Sequence, residues 1–160
     1  MVAMSNRSVR FRIPRLWAIG CVLMLGLTSG IVIAEARFVL HDLVLQDTYF
    51  VVAHFHYVLY LPVLFGFFAG WYYLFPRITG YAYSDTLGRI HFWLLFIGVV
   101  TALAPQVLLA LGLVGWVVNA LDWVHGSNLV SWIGSYISAA GILVFFVNMA
   151  LSLLRRRPAE

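Results

Sequence analysis

Tyr49-Phe50-Val51-Val52-Ala53-His54-Phe55-His56-Tyr57-Val58-Leu59 opens an apolar run that continues to Phe75. Crossing a hydrocarbon core about 30 Å thick takes roughly 20 helical residues. The run therefore predicts a membrane helix, either tilted or extending past the interface. Two histidines lie inside it. Imidazole in hydrocarbon is costly unless something binds it, so an intramembrane ionisable residue marks a candidate functional site. Each residue turns a helix by about 100°, which sets His54 and His56 about 200° apart. One helix thus offers one nitrogen ligand to each of two neighbouring sites. At about 1.5 Å per residue, His54 falls roughly 7–8 Å below a helix start at Tyr49.

The rest of the chain has the same character. Of 160 residues, 63% are hydrophobic, and the mean hydropathy of +0.95 is far above that of a soluble domain. Three further stretches reach spanning length: roughly Leu16–Ala34, Ile90–Leu113 and Leu129–Leu154. The expectation is an all-α membrane protein of four transmembrane helices. It divides into a basic segment (1–15), a membrane domain (16–154) and a basic tail (155–160). Loops are expected at Glu35–Thr48, Pro76–Arg89 and about Val114–Asn128, with Pro62 and Pro105 inside spans. Trp71, Tyr72 and Tyr73 at one interface, and Trp116, Trp123 and Trp132 at the other, read as interfacial aromatic belts.

All ten basic residues are arginines. With both termini on one side, nine fall on that side and only Arg37 on the other. Positive residues stay on the cytoplasmic or matrix side, which places both termini there. The basic balance thus reports topology and excludes nucleic-acid binding as the leading reading. The run Arg155–Arg157 suits a contact with anionic membrane lipid. Met1–Arg15 reads as a topogenic segment, with an arginine-rich organelle-targeting segment as the alternative, because the span it leads into is too long for a cleaved secretory signal. The single cysteine, Cys21, rules out a disulfide within the chain and a cysteine-only metal site; it reads as a small core residue.

His41 and His125 fall in expected loops and His91 at the opposite end of a span, so no other histidine shares the depth of the pair. Any site on either face therefore takes further ligands from another chain or another copy. A single zinc or copper ion suits the pair poorly, since ligands at i and i+2 diverge. Two haems, one on each face, fit the divergence, because neutral imidazole is a usual axial ligand for haem iron. The plainer alternative is two neutral histidines hydrogen-bonded within the bundle. His91 reads as a snorkelling or hydrogen-bonded structural residue, and Asp85 with Arg89 as a modest surface pair.

The stretch Gln46-Asp47-Thr48-Tyr49 through His54-Phe55-His56-Tyr57-Val58-Leu59 closely resembles the tenth membrane helix of haem-copper oxidase subunit I, the catalytic subunit of cytochrome c oxidase. The likeness continues through Leu74-Phe75-Pro76, Ile78-Thr79-Gly80, Thr86-Leu87-Gly88-Arg89-Ile90-His91-Phe92-Trp93, Pro105-Gln106 and Gly134-Ser135-Tyr136-Ile137-Ser138. The resemblance implies that the four spans are the last four of a twelve-helix bundle. It implies that His54 binds the iron of a high-spin haem and His56 that of a low-spin haem, with Phe55 between them. Asp47 matches a ligand of a magnesium or manganese site. Gln46 stands where the family has histidine, and its side-chain carbonyl still offers oxygen to a hard cation.

The family's arginine pair for the haem propionates is replaced by Gly112-Leu113-Val114-Gly115-Trp116-Val117-Val118, and a further histidine by Val107. The family's copper ligands and the second axial histidine of the low-spin haem precede these four helices, so copper would come only through a partner chain. The resemblance therefore implies the C-terminal part of a split or truncated oxidase subunit I in a bacterial or mitochondrial inner membrane. It would act only within a multi-subunit terminal oxidase. Its partners would be an N-terminal fragment and other oxidase subunits, with cytochrome c or quinol as indirect electron donor. The alternatives are a homodimeric or accessory membrane haem protein, or a non-catalytic structural subunit of a respiratory complex.

Overall fold

A chain in hydrocarbon must satisfy its own backbone polar groups, and for segments this apolar the helix is the way to do so. The computed structural model describes residues 12–39, 49–110, 120–156 and 158, with side chains described for 12–33, 59–105, 108, 129–156 and 158. Among the described residues there are four helices: α1 (Arg12–Val39), α2 (Tyr49–Thr79), α3 (Asp85–Ala110) and α4 (Ala120–Arg155). Within them lie four stretches long and apolar enough to cross a membrane: Arg12–Ile33, Leu59–Thr79, Asp85–Pro105 and Leu129–Arg155.

The helices outrun the apolar stretches that announce them. α4 starts at Ala120, so Asp122, His125, Gly126 and Asn128 are helical rather than in a loop. Glu35 and Arg37 lie on α1 for the same reason. Hydropathy measures what suits hydrocarbon, whereas hydrogen bonding carries a helix past the interface until something stops it. The expected loop from Pro76 to Arg89 shrinks to residues 80–84. There α2 ends on Gly80, whose φ of +73° suits a residue without Cβ. Ser84 then caps α3, accepting from the backbone N–H of Leu87 at 3.5 Å.

Neighbouring helices pack α1 on α2, α1 on α3 and α3 along α4. They alternate in direction, so Arg12, Arg77, Arg89 and Arg155 gather at one end of the bundle, here the arginine end. Trp17, fully buried, ties this half together. Its ring lies 4.5 Å from His91, 4.8 Å from Phe68, 5.1 Å from Phe92 and 5.2 Å from Phe65. Phe145 of α4 joins through Phe68 at 5.1 Å. Offset and edge-on aromatic pairs of this kind contribute about 0.5–1.5 kcal/mol each beyond area burial.

Higher along the bundle α3 and α4 meet backbone to backbone. A Cβ on Gly134 would strike the backbone of Ala102 and Gly98, and a Cβ on Gly98 would strike Ser138 and the Gly134 carbonyl. Small residues four apart, Gly98 with Ala102 and Gly134 with Ser138, let the helices come this close, the usual device where lipid removes the hydrophobic drive between helices. Ser131 reinforces the crossing, donating to the Ala102 carbonyl at 3.0 Å. Between α1 and α2, the half-buried Cys21 donates its thiol to the Pro62 carbonyl at 3.1 Å, in keeping with a core role.

The short connection 80–84 is bolted to α4. Asn148 is buried, accepts from the Ser84 N–H at 3.0 Å and donates to its carbonyl at 3.2 Å. Ser152 donates to the Ala82 carbonyl at 2.8 Å. Asn148→Leu should leave the Ser84 N–H unpaired, at about 1–3 kcal/mol, while the Ser84 carbonyl keeps the Gly88 N–H at 2.9 Å. Limited proteolysis at residues 80–84 is the measurement, with faster cutting in the variant expected.

Candidate functional site

The histidine pair rides on α2, and packing of the lower helix fixes how α2 is turned. Phe65, Phe68, Tyr72 and Phe75 are its buried stripe, spaced three and four apart as one helical face requires. By register His54 falls in line with that stripe through Leu61, Phe65, Phe68 and Tyr72. His56 falls in line with the opposite stripe of Tyr60, Val63, Phe67 and Leu74. Those four are 64%, 65%, 54% and 47% exposed, so among the described residues this stripe of α2 is uncovered. α2 begins at Tyr49, the helix start expected from the sequence, so position 54 lies five residues into the helix. The side chains of His54, Phe55 and His56 lie outside those described. Gln46, Asp47 and the stretch Gly112–Val118 lie outside the described residues, and Val107 is on α3. Among the described residues no three histidine, cysteine or acidic side chains form a group able to hold a metal ion.

A profile of the family described as "Cytochrome C and Quinol oxidase polypeptide I" matches residues 1–137, most of the chain and all of α2. The chain belongs to this oxidase polypeptide I family. It is 38% identical over 148 residues to cytochrome c oxidase subunit 1 of Yarrowia lipolytica, covering 91% of this chain and 27% of that protein. It is 35% identical over 161 residues to cytochrome c oxidase subunit 1 of Cereibacter sphaeroides, covering 98% of this chain and 27% of that protein. The chain thus spans about a quarter of the length of the curated relatives it matches. Oxidase polypeptide I membership and four membrane-crossing stretches make it an integral protein of a bacterial or mitochondrial inner membrane. It corresponds to part of a haem-copper oxidase subunit.

The second histidine site was read only in part from the sequence. His91 is hydrogen-bonded, as expected, but it is wholly buried and does not snorkel. Its Nδ1 shares a hydrogen bond with Tyr72 Oη at 3.0 Å. Its Nε2, like the indole Nε1 of Trp17 beside it, has no hydrogen-bond partner among the described residues. Tyr72 is therefore a core residue, whereas its neighbours Trp71 and Tyr73 are exposed, as an interfacial belt needs. The helical register of Phe65, Phe68, Tyr72 and Phe75 carries the signal that separates Tyr72 from them. Trp132 is exposed as expected, Trp123 lies on α4, and Trp116 is outside the described residues. Tyr72→Phe should strand His91 and cost about 1–3 kcal/mol, read as a lower midpoint of thermal unfolding in detergent.

Asp85 and Arg89 meet through the backbone: Arg89 Nε donates to the Asp85 carbonyl at 3.5 Å. Beside them, burial pushes the Tyr83 phenol well above its ordinary value of 10.0, with the Asp85 carboxylate and Tyr72 adding to the shift. Folding therefore favours the neutral phenol. That contribution is complete below the unfolded value near 10 and is lost as pH rises through the higher folded value. Tyr83→Phe should flatten the alkaline limb of the unfolding-midpoint profile and leave the neutral region unchanged.

Proposed function

We propose that this chain supplies the last four helices of a haem-copper oxidase subunit I bundle, with His54 and His56 as axial ligands to two haems. The observation that carries the reading is His54-Phe55-His56 on one continuous helix that runs on into a stretch able to cross a membrane, within the residues matched to the family. His54 would hold the high-spin haem and His56 the low-spin haem. The residues suit the group: helix register puts the two positions about 200° apart on α2, and further along the helix the side in line with position 56, at Tyr60, Val63 and Phe67, is exposed. Bound there, the haems supply one-electron transfer and oxygen reduction. The protein's part is to fix each imidazole in a dry, apolar wall, keep it neutral, and hold Phe55 between the two sites. Asp47, with Gln46 beside it, would offer oxygen ligands to magnesium or manganese. Copper would come from the helices that precede these four in the family.

The remaining helices would dock on the bare face of α2, together with other oxidase subunits, and receive electrons that originate from cytochrome c or quinol. Purification from its native membrane through a tag on this chain tests the reading. The expected product is a complex containing a polypeptide with the other subunit I helices, two haems and copper. A folded, haem-free chain recovered alone would count against it.

One sequence feature favours a second reading. The stretch Gly112–Val118 offers no cation to a haem propionate, and a propionate without charge-assisted partners is held less firmly. An accessory haem protein, with His56 of two copies on one haem, would need fewer such contacts. Low-spin haem without copper in the purified material would select it.

A further inference from the structure

A polar chain runs through the aromatic core at the arginine end. Its first link is Asn148 of α4, whose amide is oriented by Ser84: Oδ1 accepts from the Ser84 N–H at 3.0 Å and Nδ2 donates to the Ser84 carbonyl at 3.2 Å. The same side chain hydrogen-bonds the Tyr72 phenol of α2. With the amide so oriented, its second N–H donates to Tyr72 Oη, which leaves the phenol its own proton to give. That proton goes to His91 Nδ1 of α3, 3.0 Å away. The neutral imidazole then carries its hydrogen on Nε2. His91 Nε2–H is thus a donor with no partner among the described residues, and so is the indole Nε1–H of Trp17 on α1.

Both rings are wholly buried, with centroids 4.5 Å apart. They also share a depth. Trp17 lies five residues into the membrane-crossing stretch Arg12–Ile33, and His91 six residues into Asp85–Pro105, roughly 8–9 Å at 1.5 Å per residue. Two donors cannot satisfy each other, and leaving both unpaired in an apolar cluster is costly. An acceptor that serves both is small, and it is neutral, since an anion buried among aromatic rings would cost far more than the two donors it satisfied. We propose that one buried water accepts from Trp17 Nε1–H and His91 Nε2–H and so ties α1 to α3. Internal waters typically make about three hydrogen bonds to groups that otherwise lack partners. With this one in place, a continuous chain runs from Ser84 through Asn148, Tyr72, His91 and the water to Trp17. It joins all four helices to the connection at residues 80–84.

The test is NMR spectroscopy of the full chain in detergent, isotope-labelled at its tryptophan and histidine nitrogens. The Trp17 indole proton, identified by its loss in Trp17→Phe, should show cross-relaxation to water with the sign of a long-lived contact. The His91 ring should be neutral with its proton on Nε2. Tyr72→Phe removes the donor that fixes this tautomer, so the Nδ1–H form should appear. His91→Phe keeps a ring in place and removes one of the two donors. The Trp17 water contact should vanish there, with the other indole resonances unmoved. A wild-type His91 protonated on Nδ1 would overturn the proposal, because Nε2 would then be free to accept from Trp17 directly. So would a Trp17 indole with no water contact, or one whose contact survives in His91→Phe. The wild-type tautomer and water contact decide the matter even where His91→Phe fails to fold.

Discussion

His56→Leu should give an oxidase complex that lacks one haem and keeps the other, with electron delivery to oxygen abolished. His54→Leu should remove the opposite haem, and the double variant both. The expectation follows from register: the two positions lie about 200° apart on one helix, so each imidazole serves its own site and neither replaces the other. Leucine nearly preserves volume, so packing survives and the loss reports ligation. Tyr60 and Phe67 share the His56 face without being ligands. Phe67→Leu should therefore retain both haems. Pyridine haemochrome spectra of the purified complexes, normalised to protein, separate these outcomes. A His56→Leu complex with its full haem content would remove His56 from the ligand set.

Gly134→Leu should cost about 3 kcal/mol or more, the upper range for forcing atoms into a packed contact. The penalty is large because the atoms in the way are backbone. A Cβ at position 134 meets the Ala102 N–H and the Gly98 carbonyl, and neither can swing aside as a side-chain tip would. The α3–α4 crossing must open, and the Ser131 to Ala102 hydrogen bond goes with it. Gly26 makes the natural control: a Cβ there meets nothing within 4 Å, so Gly26→Ala should cost nothing and can gain helix propensity. Steric-trap or denaturant unfolding in detergent reads both. A Gly134→Leu chain as stable as the wild type would mean that the helices do not touch there.

Some of this was legible from residues alone. Four apolar stretches gave four helices because hydrocarbon leaves a chain little else to form. The start of α2 at Tyr49 followed from the same rule. Helix ends were less legible: α4 begins at Ala120 because hydrogen bonding continues where hydropathy stops. Tyr72 was assigned to the interface with Trp71 and Tyr73, since composition at a span end says aromatic belt. Only the register of Phe65, Phe68, Tyr72 and Phe75 shows which of the three turns inward. Asn148 reads as an ordinary polar residue in sequence, because its partner Ser84 is 64 positions away and nothing local announces the contact. The histidine pair stood out for the opposite reason: its cost in lipid is local and needs no partner to be seen.

Electron cryo-microscopy of the complex purified through this chain tests the haem assignment most directly. The account predicts two macrocycles on opposite sides of α2, with iron density bonded to His54 on one and His56 on the other. Imidazoles packed against lipid or side chains, with no macrocycle on either side of residues 53–57, would contradict it.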